Sequence, residues 1–194
     1  METTGTPCAD LYLAHDRVDL VDVPEQLTVH VDGGGPLDGP EFAAAARVLY
    51  GVSHAAHFLA KSVFGHAPVV RPLEALWWRP AGAQDWSWRA FVTQPDPIDE
   101  ALLEEVLDRA RRPDSPLRGV AVGRWQEGLS AQVLDGGGRS DMPPLVGLHY
   151  GIAGLGYRLR GRHHEIYLAD PRRTPRHERR TILRQPVALD AQAC

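Results

Sequence analysis

Cysteine, lysine and long apolar runs are scarce in this chain, and each shortage closes off a class of function. Of 194 residues two are cysteines, Cys8 and Cys194. They lie near opposite ends, so neither a disulfide framework nor a Cys-x-x-Cys metal or redox site can form, and a reducing compartment is expected. No run of about 18 apolar residues occurs, and the amino terminus has no basic start followed by an apolar core. The reading is a cytoplasmic protein with no membrane partner. A basic surplus is missing too: the formal net charge is −4 and the pI about 6.1, which gives no general attraction to phosphate backbones. Nucleic acid is not an expected partner. The basic residues are almost all arginine, with Lys61 the sole lysine.

What is present is an ordinary globular composition, 43% hydrophobic and 24% charged, enough for one core or two fused half-domains. Residues 1–16 lack periodicity and read as an arm, followed by a single domain over 17–188. Val18, Leu20, Val29 and Val31 alternate with polar neighbours, and Pro24 divides that stretch into two extended pieces. The second piece ends in Asp32-Gly33-Gly34-Gly35, a turn signal. From Pro40 apolar residues recur at helical spacing among many alanines, predicting a helix over about 40–64. Two strands, Val69 to Trp78 and Trp86 to Thr93, read as a hairpin. A helix then starts at Pro97, with Asp99 and Glu100 in its first turn and Arg109, Arg111 and Arg112 in its last. Pro113 stops it.

The second half repeats the order. A strand over about 118–126 and another from Leu129 to Leu134 flank a turn at Glu127-Gly128, and Asp135-Gly136-Gly137-Gly138 follows. Then come a helix over about 141–156 and strands at Arg162 to Ala169 and Thr181 to Val187. The pattern predicts an α+β fold made of a β-α-β-β unit used twice, over about 17–94 and 118–187, with an antiparallel sheet that carries helices on one face and a ligand cleft on the other.

In the strand that includes Glu165, period-two alternation puts Ile166 and Leu168 on one face and Glu165 and Tyr167 on the other. With the aliphatic pair toward the helices, Glu165 and Tyr167 face the cleft. A carboxylate among aromatic groups has its charged form disfavoured by desolvation, which suits it to accept a proton or hold a cation. The plainer alternative is an ion pair with one of the arginines. All five tryptophans lie between residues 77 and 125, and Trp77, Trp78, Trp86 and Trp88 flank one turn. They either fill the core or wall a cleft for a planar, hydrophobic aromatic ligand; the cleft is the preferred reading. His163-His164 invites a metal, but adjacent strand residues point to opposite faces and no His-Glu-x-x-His pattern occurs, so no metal and no cofactor are expected. Gly151-x-x-Gly154-x-Gly156 is out of order for a dinucleotide fingerprint and reads as a helix end. Arg172, Arg173, Arg176, Arg179 and Arg180 read as a solvated connecting turn.

His164-Glu165-Ile166-Tyr167-Leu168-Ala169-Asp170-Pro171-Arg172-Arg173-Thr174 resembles the signature of stand-alone GyrI-like proteins. Thr181-Ile182-Leu183-Arg184, Pro72-Leu73-Glu74-Ala75-Leu76-Trp77-Trp78, Gln94-Pro95-Asp96 and Asp32-Gly33-Gly34-Gly35 resemble further segments of that family, over about residues 10–187. The resemblance implies a pseudo-twofold pair of SHS2-type modules around a drug-sized cleft with a pocket glutamate. Members bind hydrophobic, often cationic compounds, or hydrolyse the cyclopropane of DNA-alkylating spirocyclopropyl cyclohexadienones, which detoxifies them. By this match Glu165 is the pocket acid or base, Tyr167 or His54 supports the ligand carbonyl, and Trp78, Trp86, Trp88, Tyr50 and Phe58 join His54 in binding. Relatives often have Ser-Tyr-Ala where this chain has Ser53-His54-Ala55. Hydrolysis is the preferred reading and sequestration without chemistry the alternative. A transcription-factor effector domain would need a fused helix-turn-helix, for which the sixteen residues before the first strand leave no room.

Overall fold

The computed structural model describes residues 10–110, 119–137 and 142–190. Both cysteines, Arg111 to Pro113, Gly138 and the expected helix start at Asp141 lie outside the described residues. The chain divides into two compact units, residues 25–126 and residues 1–24 with 127–194. These differ from the expected repeats over 17–94 and 118–187. The divisions fall after Pro24 and before Glu127, where the sequence reads as broken. Neither signal ends a strand, because β1 (Asp19–Gly34) and β4 (Ala121–Asp135) each run through.

In the unit of residues 25–126, β1 is followed by α1 (Pro40–Phe64), β2 (Leu73–Trp78), β3 (Ser87–Thr93) and α2 (Glu100–Ala110). Its strands lie in the order β4, β1, β3, β2, with β3 antiparallel to both β1 and β2. α1 buries Phe42, Ala45, Ala46, Leu49, Val52, Ala56 and Ala60, one stripe at helical spacing, and its alanines bring the backbone close to what it covers. Pro40 opens the helix, and Gly65, at φ +78°, closes it by donating its N–H to the Lys61 carbonyl at 3.0 Å. α2 starts later than expected because Asp99 is its cap, Oδ1 accepting the Leu102 N–H at 2.8 Å.

In the other unit α3 (Pro144–Gly154), β5 (Tyr157–Leu159), β6 (His163–Tyr167) and β7 (Thr181–Leu189) follow β4. β7 pairs antiparallel with β4 on one edge and with β5 and β6 on the other. Leu159 faces Val187 and His164 faces Arg184, so two extra residues bulge out between β5 and β6. Pro186 and Gly161 explain the bulge. The Pro186 carbonyl accepts the Arg160 N–H at 2.8 Å, and the N–H that proline lacks would point the same way, where the bulge asks for none. Gly161 takes φ +64° there. Ala131, Val133, Leu183 and Val187 of the strands pack with Leu148 and Ile152 of α3 as the core.

The arginine run after β6 is tied to its turn. Arg172 binds Asp170 through Nε at 2.9 Å and Nη2 at 2.6 Å, and Arg179 donates to the carbonyls of Thr174 at 3.0 Å and Pro171 at 2.6 Å. The Arg172 hydrogen bond holds the Asp170 carboxyl below its ordinary value, against a smaller opposing effect of burial. Among the described residues no helix is long and apolar enough to cross a membrane.

Candidate functional site: an acid, a phenol and two imidazoles

Glu165 stands opposite Leu183 in the β6–β7 ladder, and Leu183 stands opposite Val133 in the β7–β4 ladder. Directly paired residues share a face, and Leu183 and Val133 pack with Leu148 and Ile152 of α3. His163, Glu165 and Tyr167 therefore form a row on the α3 face, while His164 and Ile166 point to the opposite one. This reverses the expectation that Ile166 turns toward the helices while Glu165 and Tyr167 turn away from them to a cleft. The reason is the core, which draws Leu183 rather than Ile182 toward α3, and register carries Glu165 along.

The Tyr167 hydroxyl donates to Glu165 Oε2 at 2.8 Å. Tyr167 is buried, whereas the Glu165 side chain keeps 25% exposure and that of His163 16%. His163 Nε2 lies 3.5 Å from Glu165 Oε1, an ion-pair distance, yet both His163 ring nitrogens are buried without a hydrogen bond. The geometry does not make a hydrogen bond, so we describe the pair as close but unbonded. His149, on α3, also has a buried Nε2 with no partner. Burial first, and the nearby His163 second, hold the His149 imidazole below its ordinary value, so His149 is neutral at pH 7. The arrangement can hold and move a proton: a carboxylate steadied by a phenol, with imidazole beside it. Among the described residues no group of three or more His, Cys, Asp or Glu is arranged to hold a metal ion.

The opposite face of the same strand is a closed polar cluster. His164 Nδ1 lies 3.1 and 3.2 Å from the two carboxylate oxygens of Glu127, and Arg184 Nη1 lies 3.5 Å from Glu127 Oε2. Arg184 also donates to Gln132 Oε1 from Nε at 3.0 Å and Nη2 at 2.8 Å, and to the Leu11 carbonyl. Gln132 in turn donates to the Leu13 carbonyl at 2.8 Å. The segment read as an arm is thus fastened, at Leu11 and Leu13, to β4 and β7. The charged side chains are almost wholly inaccessible to solvent. Burial alone would raise the Glu127 carboxyl, but His164 and Arg184 together outweigh it and hold that carboxyl below its ordinary value.

The expected aromatic residues all lie in the unit of residues 25–126, and they do not form one wall. Trp88 is wholly buried, edge-on to Phe42 at 5.2 Å, and Trp77 stacks on the same ring at 5.5 Å. The Trp88 ring lies over Gly33, where a Cβ would come within 2.3 Å of it. Trp88 is a core residue with no face to offer a ligand, which corrects its expected place in the binding wall. Trp86 precedes β3, is 45% exposed and lies under the Arg79 guanidinium at 4.7 Å. Trp78 is half-buried at the end of β2. The Tyr50 hydroxyl accepts the Leu73 N–H at 3.2 Å, and its ring lies 6.4 Å from that of His54. His54 and Phe58 are exposed on α1.

The structure thus brings Glu165 and Tyr167 into contact and adds two residues not singled out beforehand as site residues, His163 and His149. His163 was legible as a residue two before Glu165, on its face. Nothing in sequence spacing points to His149.

No family model matches the chain, and neither does any curated protein. Solved structures do. A hydrolase from Listeria innocua is similar with a TM-score of 0.77 and 30% identity, over 93% of this chain and 96% of that one. A conserved protein from Listeria innocua is similar with a TM-score of 0.80 and 30% identity, over 93% and 97%. The chain belongs to the family of these Listeria proteins. The C-terminal domain of EcmrR shares the fold, with a TM-score of 0.52 and 11% identity over 89% of this chain and 98% of that one.

Proposed function

We propose that this protein is a small-molecule hydrolase of the GyrI-like cyclopropyl hydrolase kind, with Glu165 as its base. The observation that carries the reading is the partly exposed Glu165 carboxylate, held at Oε2 by the hydroxyl of a buried tyrosine, in a chain of the same family as a Listeria hydrolase. In the reaction, Glu165 draws a proton from water as the water oxygen bonds to a cyclopropane carbon of a spirocyclopropyl cyclohexadienone. The carbon–carbon bond of the strained ring breaks, and its electron pair moves into the dienone, whose carbonyl becomes a phenolate. The phenolate takes a proton from the medium and Glu165 releases the one it drew from water, so water is added overall and the carboxylate is restored. Ring strain and aromatisation drive the change, and the protein supplies position and one base. Tyr167 donates its hydrogen bond to Glu165 rather than to the ligand, and so acts as the holder of the base.

The test is incubation with a spirocyclopropyl cyclohexadienone and detection of the water adduct by mass spectrometry. The wild-type chain is expected to form the adduct, and Glu165→Gln to form it at least ~100-fold more slowly, the upper part of what a positioned base supplies. Equal rates for the two proteins remove Glu165 from the reaction. Quenching of tryptophan fluorescence by the compound with no adduct at all replaces hydrolysis by sequestration.

A further inference from the structure

A buried polar atom left without a partner costs about 1–3 kcal/mol, and folded proteins rarely keep one without a use for it. His163 keeps two, Nδ1 and Nε2. Its neighbour His164 bonds to the Glu127 carboxylate through Nδ1, so this strand can house an imidazole with at least one partner. A phenylalanine at 163 would fill similar space without the cost, so packing does not explain the residue. The charged group recorded within 4 Å of its ring nitrogens is the Glu165 carboxylate, at 3.5 Å. Tyr167 already holds the other oxygen of that carboxylate, at 2.8 Å.

We infer that His163 is a positioning residue for Glu165: its Nε2–H closes onto Oε1 when a ligand is bound, so that imidazole and phenol grip the carboxylate from both sides. This rests on the reading of Glu165 as the base. Catalytic hydrogen bonds are often long in the empty protein and tighten in the complex, and here a few tenths of an ångström suffice. With one lone pair on each oxygen taken, the carboxylate cannot swing, and a remaining lone pair keeps one direction toward water. His149 of α3, near enough for His163 to lower it, is held below its ordinary value chiefly by burial, and so adds no charge to compete for the carboxylate.

The experiment compares the full chain with His163→Phe, which fills the space without a donor, and His163→Gln, whose amide N–H reaches about where Nε2 stood. For each, kcat and KM are measured with a spirocyclopropyl cyclohexadienone, and the melting temperature is recorded. His163→Phe is expected to lose about 10- to 100-fold in kcat, the scale of a misplaced catalytic group, with KM and melting temperature unchanged. His163→Gln is expected to recover most of that loss. His163→Phe turning over like the wild type overturns the inference, as does an equal fall in both variants accompanied by a lowered melting temperature. A wild-type chain that turns over nothing removes the proposed hydrolase and this inference with it. That result is distinct from a failure of His163 alone, which is read only against an active wild type.

Discussion

His163 and His164 are adjacent in the chain and opposite in their surroundings. His164 is wholly buried and bound to Glu127, within a cluster that ends on the Leu11 and Leu13 carbonyls. His163 lies on the other face with neither nitrogen bonded, beside a carboxylate that still meets solvent. A polar group that is bonded to a buried charge and sealed contributes to one fixed structure, whereas one with neither nitrogen bonded, near a solvent-reachable acid, is available to something that arrives. The α3 face of β6 is therefore where the proposed chemistry would lie, and the opposite face is where the chain is fastened.

Glu127→Gln should break the fastening most. It leaves the Arg184 guanidinium buried without its counter-charge, for which about 3–5 kcal/mol is the expected loss, read from the urea midpoint. A loss under about 1 kcal/mol would show that the cluster is not the fastening at all. The pH dependence sharpens the same point. A carboxyl whose folded pKa is depressed stabilises the fold at every pH above its unfolded value, and the contribution fades as pH falls through the lower, folded one. Glu127 is of this kind, so urea midpoints should hold from neutral pH down to about the ordinary carboxylate range, near 4, and drop below it. In Glu127→Gln that drop should be shallower.

Much of the favoured face was legible in the sequence, and almost none of the fastening was. α1 announced itself because its apolar residues repeat at helical spacing between a proline and a glycine. Glu165 and Tyr167 could be placed together because two residues apart on a strand is a single face, although their hydrogen bond to each other was not foreseen. The cluster around Glu127 joins residues such as Gln132 and Arg184, which become neighbours only once the β4–β7 register is set, and no local pattern encodes that register. The tryptophans misled for a related reason. Four indoles beside one turn suggested a wall, but the glycine directly opposite Trp88 across the β1–β3 ladder gives its ring a place in the core. Pro24 and Gly128 misled about strand breaks, since each is a local signal, and sheet pairing overrides such signals.

Tyr167→Phe is the next smaller test. It removes one hydrogen bond to a partly exposed carboxylate, at an expected cost of about 0.5–1.5 kcal/mol, with a larger effect on turnover than on the urea midpoint. A midpoint that falls as far as in Glu127→Gln would place the fastening on this face as well.

The smallest expected effect is the most telling, because it compares neighbours. His164→Phe strips Glu127 of a partner and should cost about 1–3 kcal/mol for the buried acceptor left short. His163→Phe removes no hydrogen bond and retires two unbonded buried nitrogens, so its urea midpoint should stay within about 0.5 kcal/mol of the wild type or rise. Equal losses in the two variants would mean that His163 has a structural partner after all, and the division of β6 into a working face and a fastened face would fall. A flat response at 163 beside a steep one at 164 would leave turnover as the property that the imidazole at 163 serves.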